Sequence, residues 1–264
     1  MLYLPYYGLK KKPFQDNSDP KFFWLGEGQS EAIAVLRFGI EKGEGITVLT
    51  GDIGTGKTAT VKYLADLLKN NFKIANIEDS DVDSMDFLHF LADSLDLSNS
   101  FENFRSFLEY ANEIYTKTTK MMLVILDEAH RSTKSLLNDL RIMTKIERAK
   151  KPLIKIVMVG QDSITELIKA QPLSDTVQKT PTIFYLRPFT ENETKEYIEH
   201  RLRVAGTETH LFSSGAINKL FRYSAGIPRV INTICDHALM IGYSKNLIKI
   251  NSAVINECAE DLQI

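Results

Sequence analysis

The chain has 264 residues, which is enough for one large domain or for a domain with a small appendage. Its hydrophobic content of 44% and its charged content of 25% are typical of a soluble globular protein. The formal net charge of −2 excludes a global basic excess that would draw the chain to nucleic acid or to anionic lipid.

Cysteines and apolar runs bear on the cellular setting. Cys235 and Cys258 are far apart in sequence and match no metal-ligand spacing, so we interpret them as inert thiols in a reducing cytosol. The basic residues 10–12 are followed by Pro13 and polar residues, so we expect no signal peptide. No apolar run is long enough to span a bilayer. These features predict a cytoplasmic chain, or a soluble piece cut from a longer protein.

Residues 1–40 are aromatic and irregular, with prolines between the rings. The aromatic residues are Tyr3, Tyr6, Tyr7, Phe14, Phe22, Phe23 and Trp24. Such a composition is typical of an ordered segment, so we expect an extension that packs on the core. Residues 30–40 have the spacing of an amphipathic helix.

A phosphate-binding loop follows, because residues 51–58 fit the pattern G-x-x-x-x-G-K-[ST]. The motif needs a strand before it and a helix after it, and residues 45–50 and 58–68 have those patterns. Glycines let backbone N–H groups surround a triphosphate, and the helix adds its positive end. The predicted ATP-binding residues are Gly51, Asp52, Ile53, Gly54, Thr55, Gly56, Lys57, Thr58 and Ala59.

Two of these residues have specific predicted roles. Lys57 would reach the β- and γ-phosphates, and the Thr58 hydroxyl would ligate Mg²⁺. The alternative is an ordinary glycine-rich turn between a strand and a helix.

Strands and helices alternate along the next hundred residues. The predicted strands are 72–77, 121–126, 153–159 and 182–186, and the predicted helices are 84–95, 101–115, 132–146 and 164–170. This alternation favours a parallel α/β sheet. From residue 190 onward every element has helical spacing, and Thr190 with Glu193 forms a capping box. The predicted helices there are 191–204, 214–224, 228–243 and 252–262.

These patterns predict three parts of the chain. They are an extension with a first helix at 1–40, an α/β core at 41–189 and a helical lid at 190–264.

The apolar strand 121–126 ends in two carboxylates, Asp127 and Glu128, which is the Walker B pattern. Asp127 would hold the Mg²⁺ shell, and Glu128 would act as the general base on the attacking water. The alternative is an acidic helix N-cap. Residues 127–130 also spell a helicase box, but the chain is too short for two recA-like domains. We therefore interpret His130 as a helix-start residue.

Two further polar residues are candidates for reading the γ-phosphate. Gln161 follows a buried strand and would lie between the Walker strands, although a plain turn residue is the alternative. Arg229 stands in the first turn of a predicted helix, where a cation is disfavoured by about 0.3–1 kcal/mol. That mismatch indicates that Arg229 binds a distant anion, and a surface arginine is the alternative.

Together these residues resemble AAA+ ATPases of the ExeA type, the general secretion pathway protein A ATPases. The likeness covers essentially the whole chain, from Tyr7-Gly8-Leu9 and Lys12-Pro13-Phe14, through the P-loop, Leu126–His130 and Val159-Gly160-Gln161, to Tyr197–Leu202 and Gly226–Asn232.

The resemblance implies a P-loop NTPase three-layer αβα core of the AAA+ type, with a helical lid and ATP between them. It implies assembly into a ring or another homo-oligomer. By the same resemblance Gln161 matches sensor 1, Arg229 matches sensor 2, and Tyr7, Phe14 or Phe22 would cover the adenine.

The sequence departs from the family at one position. The family usually carries an arginine near residue 179, where this chain has Lys179, which cannot hold phosphate with a bidentate fork. Arg141 and Arg187 remain candidates for that role. Longer family members continue through a membrane span, so kinship implies that the chain is a cytoplasmic domain of an inner-membrane protein.

Three functional hypotheses remain open. The first is an Mg²⁺-dependent ATPase that drives or gates assembly of a larger complex, related to secretion or to the cell envelope. The second is a DNA-associated AAA+ regulator of the transposition or replication type. It would use a basic stretch that is otherwise a solvated face, formed by Lys145, Arg148, Lys150, Lys151 and Lys155. The third is a slow nucleotide switch, which Lys179 motivates.

Overall fold

The computed structural model describes residues 3–15, 19–42, 45–78, 84–94, 101, 103–117, 120–145, 147–148, 151–152, 154–170 and 181–264. The chain divides into two compact units. The α/β unit consists of Gln29–Ile53 and Lys57–Leu186, and the helical unit consists of Met1–Gly28, Gly54–Gly56 and Arg187–Ile264.

The described strands and helices follow the predicted order closely. The strands are β1 Ile46–Thr50, β2 Phe72–Ile77, β3 Met121–Leu126, β4 Glu147–Arg148, β5 Lys151–Pro152, β6 Ile154–Gly160 and β7 Thr182–Tyr185. The helices are α1 Tyr3–Tyr6, α2 Glu27–Lys42, α3 Lys57–Leu68, α4 Ser84–Ser94, α5 Phe104–Lys117, α6 Lys134–Met143, α7 Ser163–Ala170, α8 Glu191–Ala205, α9 Ser214–Ser224, α10 Pro228–Ser244 and α11 Ser252–Asp261. Pro20–Phe22 and Ala129–Arg131 form short 3₁₀ turns.

Five strands form a parallel sheet in the order β2-β3-β6-β1-β7. The strands β1, β3 and β6 are almost entirely buried and mostly apolar, as expected when helices cover both faces of a sheet. Because β6 lies between β3 and β1, the residues that follow these three strands meet at one edge of the sheet. The predicted parallel α/β core is confirmed.

The two faces of the sheet bury different residues of the same strands. Val124 and Met158 face a cluster that contains residues of α4, α5, α6 and α7. Their neighbours Leu123 and Val157 face the opposite cluster, which contains residues of α2 and α3. This alternation follows from the two-residue period of a strand, and it produces the three-layer arrangement. Burial of each fully buried aliphatic side chain contributes about 1.5–3 kcal/mol to the free energy of folding.

The N-terminal extension differs from the expectation that residues 1–40 pack on the α/β core. Tyr3, Tyr7, Phe14 and Phe22 are buried in the apolar cluster of the helical unit. From residue 29 onward, α2 belongs to the α/β unit. The extension therefore divides within α2, because its aromatic residues find their apolar partners on α8–α11.

Arg201 of α8 explains how the extension is held in the helical unit. Its guanidinium donates hydrogen bonds to the carbonyls of Pro13, at 2.5 Å, and of Gln15, at 2.8 Å. It also lies over the Phe22 ring, 4.9 Å from the centroid. Arg201 is only 7% exposed, so these contacts offset the cost of burying its charge.

The predicted capping box at the start of α8 is present. The Thr190 hydroxyl accepts a hydrogen bond from the Glu193 N–H, and the Glu193 carboxylate accepts one from the Thr190 N–H. Arg187 also donates to both Glu193 oxygens, at 2.6 and 3.3 Å. Burial alone would raise the pKa of Glu193, but the bonds from Arg187 and Thr190 outweigh it and lower the pKa below its usual value.

Glu193→Gln is expected to lower the free energy of unfolding by about 1–2 kcal/mol at neutral pH, because it removes a charge-assisted bond and weakens a cap. The folded-state pKa is depressed, so this stabilisation is present above the unfolded glutamate pKa of about 4.3 and is lost as the pH falls through the lower folded value. Urea unfolding of both proteins across that range measures it, with the exposed Glu208→Gln as control. A difference that grows on acidification would contradict the assignment.

The hairpin of β4 and β5 was not predicted. Its register pairs Glu147 with Pro152 and Arg148 with Lys151. Strands of two residues are too short to leave an alternating pattern, so the sequence signal was absent. The region around Lys179 lies outside the described residues, and so does Lys150.

Candidate nucleotide site

The predicted phosphate-binding loop lies between β1 and α3, as its motif requires. Gly54 and Gly56 have φ angles of 85° and 95°, in the left-handed region that favours glycine. At Gly54 an added Cβ would also lie 2.9 Å from the Cβ of Arg229. The glycines of the motif are therefore required by backbone conformation, and at Gly54 also by close packing.

Lys57 opens α3 and directs its ammonium back into the loop. Its Nζ donates hydrogen bonds to the carbonyls of Gly51 and Asp52, each at 2.8 Å, and the residue is only 8% exposed. The positive N-terminal end of α3 begins at the same residue. This concentration of positive charge suits a polyphosphate.

Thr58 and Asp127 meet although 69 residues separate them in sequence. The Thr58 hydroxyl donates a hydrogen bond to Asp127 Oδ2 at 2.7 Å. Asp127 is held by its own backbone, whose N–H donates to the Ile77 carbonyl at 2.9 Å. A hydroxyl and a carboxylate are hard oxygen donors of the kind Mg²⁺ prefers, so these two residues fit the predicted metal ligands.

Glu128 has a strained backbone. Its φ and ψ are 49° and 30°, in the left-handed region, which costs a residue with a side chain on the order of 1 kcal/mol. Its N–H donates to Asp127 Oδ1 at 2.9 Å. The side chain is 46% exposed, so water has access to the carboxylate. Strain of this kind, beside a predicted metal-ligand carboxylate, is typical of a functional position.

Gln161 follows β6, the strand that lies between β3 and β1. This is the place that the sequence predicted for it. Its side-chain amide lies 3.1 Å from His130 Nε2, and its backbone N–H donates to His130 Nδ1 at 3.4 Å. The structure therefore brings His130 into the site, whereas the sequence indicated only a helix start. The role of Gln161 in contacting the γ-phosphate stays a prediction.

Two further contacts at this edge of the sheet were missed from sequence. The Thr50 hydroxyl donates to Asp162 Oδ1 at 2.9 Å, and the Tyr185 hydroxyl donates to Asp52 Oδ2 at 3.1 Å. They tie the start of the P-loop to the ends of β6 and β7. Neither pair has a sequence pattern, because its members are 112 and 133 residues apart.

Arg229 lies in the helical unit, in the first turn of α10. It is exposed, and its backbone N–H donates to the carbonyl of Gly54 at 3.2 Å. Within its unit the arginine is therefore in contact with a P-loop glycine. It also lines a cavity of about 300 Å³, together with Phe14, Asp236 and His237. A role of Arg229 at the phosphates stays a prediction.

Comparison with known proteins identifies the family. A model of the AAA domain matches residues 40–168, a range that contains the P-loop, β3 and β6. The chain contains an AAA domain. General secretion pathway protein A of Aeromonas hydrophila is 31% identical over 257 residues, covering 94% of this chain. The resemblance to AAA+ ATPases of that type is confirmed. The chain spans 46% of the length of this relative.

Solved structures share the fold of this AAA+ chain. Cdc6p from Pyrobaculum aerophilum matches with a TM-score of 0.68 at 15% identity, over 93% of this chain and 71% of its own. The Drosophila ORC bound to DNA matches with a TM-score of 0.68 at 16% identity, over 100% of this chain and 65% of its own. At such low identity these likenesses show a common fold.

The aromatic residues that the family resemblance assigned to adenine are all buried in the helical unit. Tyr7, Phe14 and Phe22 are 3–5% exposed and belong to its apolar cluster. The Tyr7 hydroxyl donates to the Leu247 carbonyl, and burial raises the pKa of Tyr7 to about 12. Only Phe14 reaches the cavity beside Arg229. Tyr7 and Phe22 therefore serve packing, because their rings are fully occupied.

The candidates for a trans-acting arginine in this AAA+ chain have different surroundings. Arg187 is held by two carboxylates of its own unit, those of Glu193 and Glu27. Such a network gives it a structural role. Arg141 lies half-buried on α6, and Lys179 lies outside the described residues.

The basic stretch that motivated a DNA-binding role is not a continuous exposed face. Lys145 is exposed, but Lys155 lies within β6 and is only 3% exposed. A buried lysine cannot contact a phosphate backbone, so this part of the expectation was wrong.

The described part of the chain has no cluster of three or more His, Cys, Asp or Glu residues placed to hold a metal. Burial raises the pKa of Cys235 and Cys258, which keeps both thiols protonated. No described helix is both long and apolar enough to cross a bilayer.

Proposed function

We propose that this chain is an Mg²⁺-dependent ATPase that binds ATP on residues 51–59 and hydrolyses it with Glu128 as general base. One observation carries the proposal: the Thr58 hydroxyl bonds to Asp127 at 2.7 Å. This contact joins the P-loop to the Walker B strand, and it supports a Mg²⁺ site made of two hard oxygen donors that adjoin Lys57 and Glu128 in sequence. Bound Mg²⁺ would neutralise phosphate charge.

The remaining residues have defined parts in this proposal. Lys57 holds the β- and γ-phosphates, and Gln161, at the end of β6, contacts the γ-phosphate. Arg229 contributes a second positive charge, and its bond to Gly54 supports that assignment. Glu128 lies at a strand end with an exposed carboxylate, which suits a base that must meet water.

Kinship supports a proposal for the biological role. We propose that hydrolysis drives or gates assembly of a larger complex related to secretion or to the cell envelope. The likeness to general secretion pathway protein A supports this role. The AAA+ family supports a homo-oligomer, ring-shaped or nucleotide-dependent, in which a neighbouring subunit completes the site. We place the chain in the cytoplasm, as part of an inner-membrane protein.

Phosphate release from ATP, measured over a range of protein concentrations, tests this proposal. Turnover is expected to require Mg²⁺ and to stop with EDTA, because Thr58 and Asp127 carry no positive charge and only the metal that they would hold neutralises the phosphates beside them. The rate per chain is expected to rise with concentration as oligomers complete the site. A flat rate near zero with intact ATP binding would support a slow nucleotide switch instead.

A further inference from the structure

His130 contacts both catalytic candidates that surround it. Its Nε2 lies 3.1 Å from the side-chain amide of Gln161 and 3.7 Å from Glu128 Oε2. The second distance is beyond a hydrogen bond but close enough for electrostatic attraction. The ring is 15% exposed, so these contacts are partly shielded from solvent.

The other ring nitrogen fixes the tautomer. His130 Nδ1 accepts a hydrogen bond from the Gln161 backbone N–H at 3.4 Å. A neutral imidazole that accepts at Nδ1 carries its proton on Nε2. That N–H is directed at Gln161 and Glu128, and a half-turn of the Gln161 amide presents its oxygen as acceptor. The Nε2 proton is thus donated to the Gln161 amide at 3.1 Å, and Glu128 lies next to the same N–H at 3.7 Å as an electrostatic partner.

Gly160 makes this approach possible. An added Cβ at residue 160 would lie 3.1 Å from the backbone N of His130 and 3.3 Å from its Nδ1. A side chain there would push the ring away from the end of β6. The close packing of β6 against the turn Ala129–Arg131 is therefore specific to glycine at this position.

We propose that His130 is a positioning residue that holds the Glu128 carboxylate and couples it to Gln161. The inference rests on the proposed ATPase function. When Gln161 turns toward a γ-phosphate, the Nε2–H loses Gln161 as its acceptor and donates a hydrogen bond to the Glu128 carboxylate instead, which fixes the base in place without protonating it. The orientation of the base then depends on whether a γ-phosphate is bound.

Four variants test the coupling through kcat and KM for ATP, together with ATP affinity. His130→Ala is expected to lower kcat about 10²-fold with unchanged ATP affinity, because a displaced base loses its alignment. His130→Asn keeps an acceptor at the Nδ1 position but reaches neither Glu128 nor the Gln161 amide, so kcat stays low. His130→Gln places an N–H near the Nε2 position and is expected to recover most of kcat. Gly160→Ala is expected to lower kcat as His130→Ala does.

The exposed His89→Ala on α4 is the matched control and is expected to keep wild-type kcat. A purely structural role would give the opposite order, with His130→Asn restoring kcat and His130→Gln failing. That order, or wild-type kcat in His130→Ala, overturns the coupling while hydrolysis by the wild type stands. Absence of hydrolysis in the wild type overturns the proposed function and the coupling together.

Discussion

Replacing Glu128 with glutamine is expected to lower kcat for ATP hydrolysis by about 10²–10⁴-fold, the usual contribution of a general base. Glutamine has nearly the same shape but cannot accept the proton of the attacking water. Binding of ATP is expected to be unchanged, because none of the proposed phosphate contacts is made by Glu128. The strained backbone of Glu128 stays as it is, since both residues occupy the left-handed region equally poorly.

The measurement is steady-state phosphate release beside equilibrium binding of ATP. Glu109→Gln, an exposed position on α5, serves as the control for loss of one carboxylate and is expected to match the wild type. Normal hydrolysis by the Glu128→Gln protein would remove Glu128 as base. Loss of ATP binding would instead indicate that Glu128 supports the fold of the loop.

Replacing Lys57 with alanine is expected to abolish measurable nucleotide binding. Hydrogen bonds to a charged group are worth about 1.5–3 kcal/mol each, so losing an ammonium that, as proposed, binds two phosphates is expected to weaken ATP binding by about 10²–10⁴-fold. The substitution also leaves the Gly51 and Asp52 carbonyls without the Lys57 hydrogen bonds that hold the loop. Both effects act in the same direction.

Isothermal titration with ATP and Mg²⁺ measures this effect. Lys62→Ala removes an exposed lysine from the same helix, one whose partner is Glu78, and is expected to bind as the wild type does. If Lys57→Ala bound ATP normally while the control also bound, the phosphates would not lie on this loop.

Local patterns in the sequence were enough to predict the α/β core. The P-loop, the strand β3 with its two terminal carboxylates and the capping box at Thr190 each depend on residues close in sequence. Burial of a parallel sheet on both faces produces uninterrupted apolar strands, and those are visible without any knowledge of the partner strand.

Contacts between distant residues were not predictable in the same way. The aromatic rings of the extension were recognised as ordered, but their burial against α8–α11 depends on residues about 190 positions away, such as Arg201 bound to Pro13 and Gln15. Lys155 was grouped with exposed lysines because its burial follows from its place in β6.

The contacts of His130 within the candidate site were not predictable from the sequence. His130 belongs to the run 127–130, but its contact with Gln161 joins residues 31 positions apart and leaves no local pattern. The left-handed conformation of Glu128 was equally unpredictable, since glutamate is not a residue type that favours this region. A glycine at the end of β6 was the one local sign of close packing.

A crystal structure with Mg²⁺ and a non-hydrolysable ATP analogue tests the central claim most directly. The account predicts the triphosphate on residues 51–58, with Lys57 on its terminal phosphates and Mg²⁺ held by Thr58 and the shell of Asp127. An analogue bound elsewhere on the chain, or Mg²⁺ held without Thr58 and Asp127, would contradict the account.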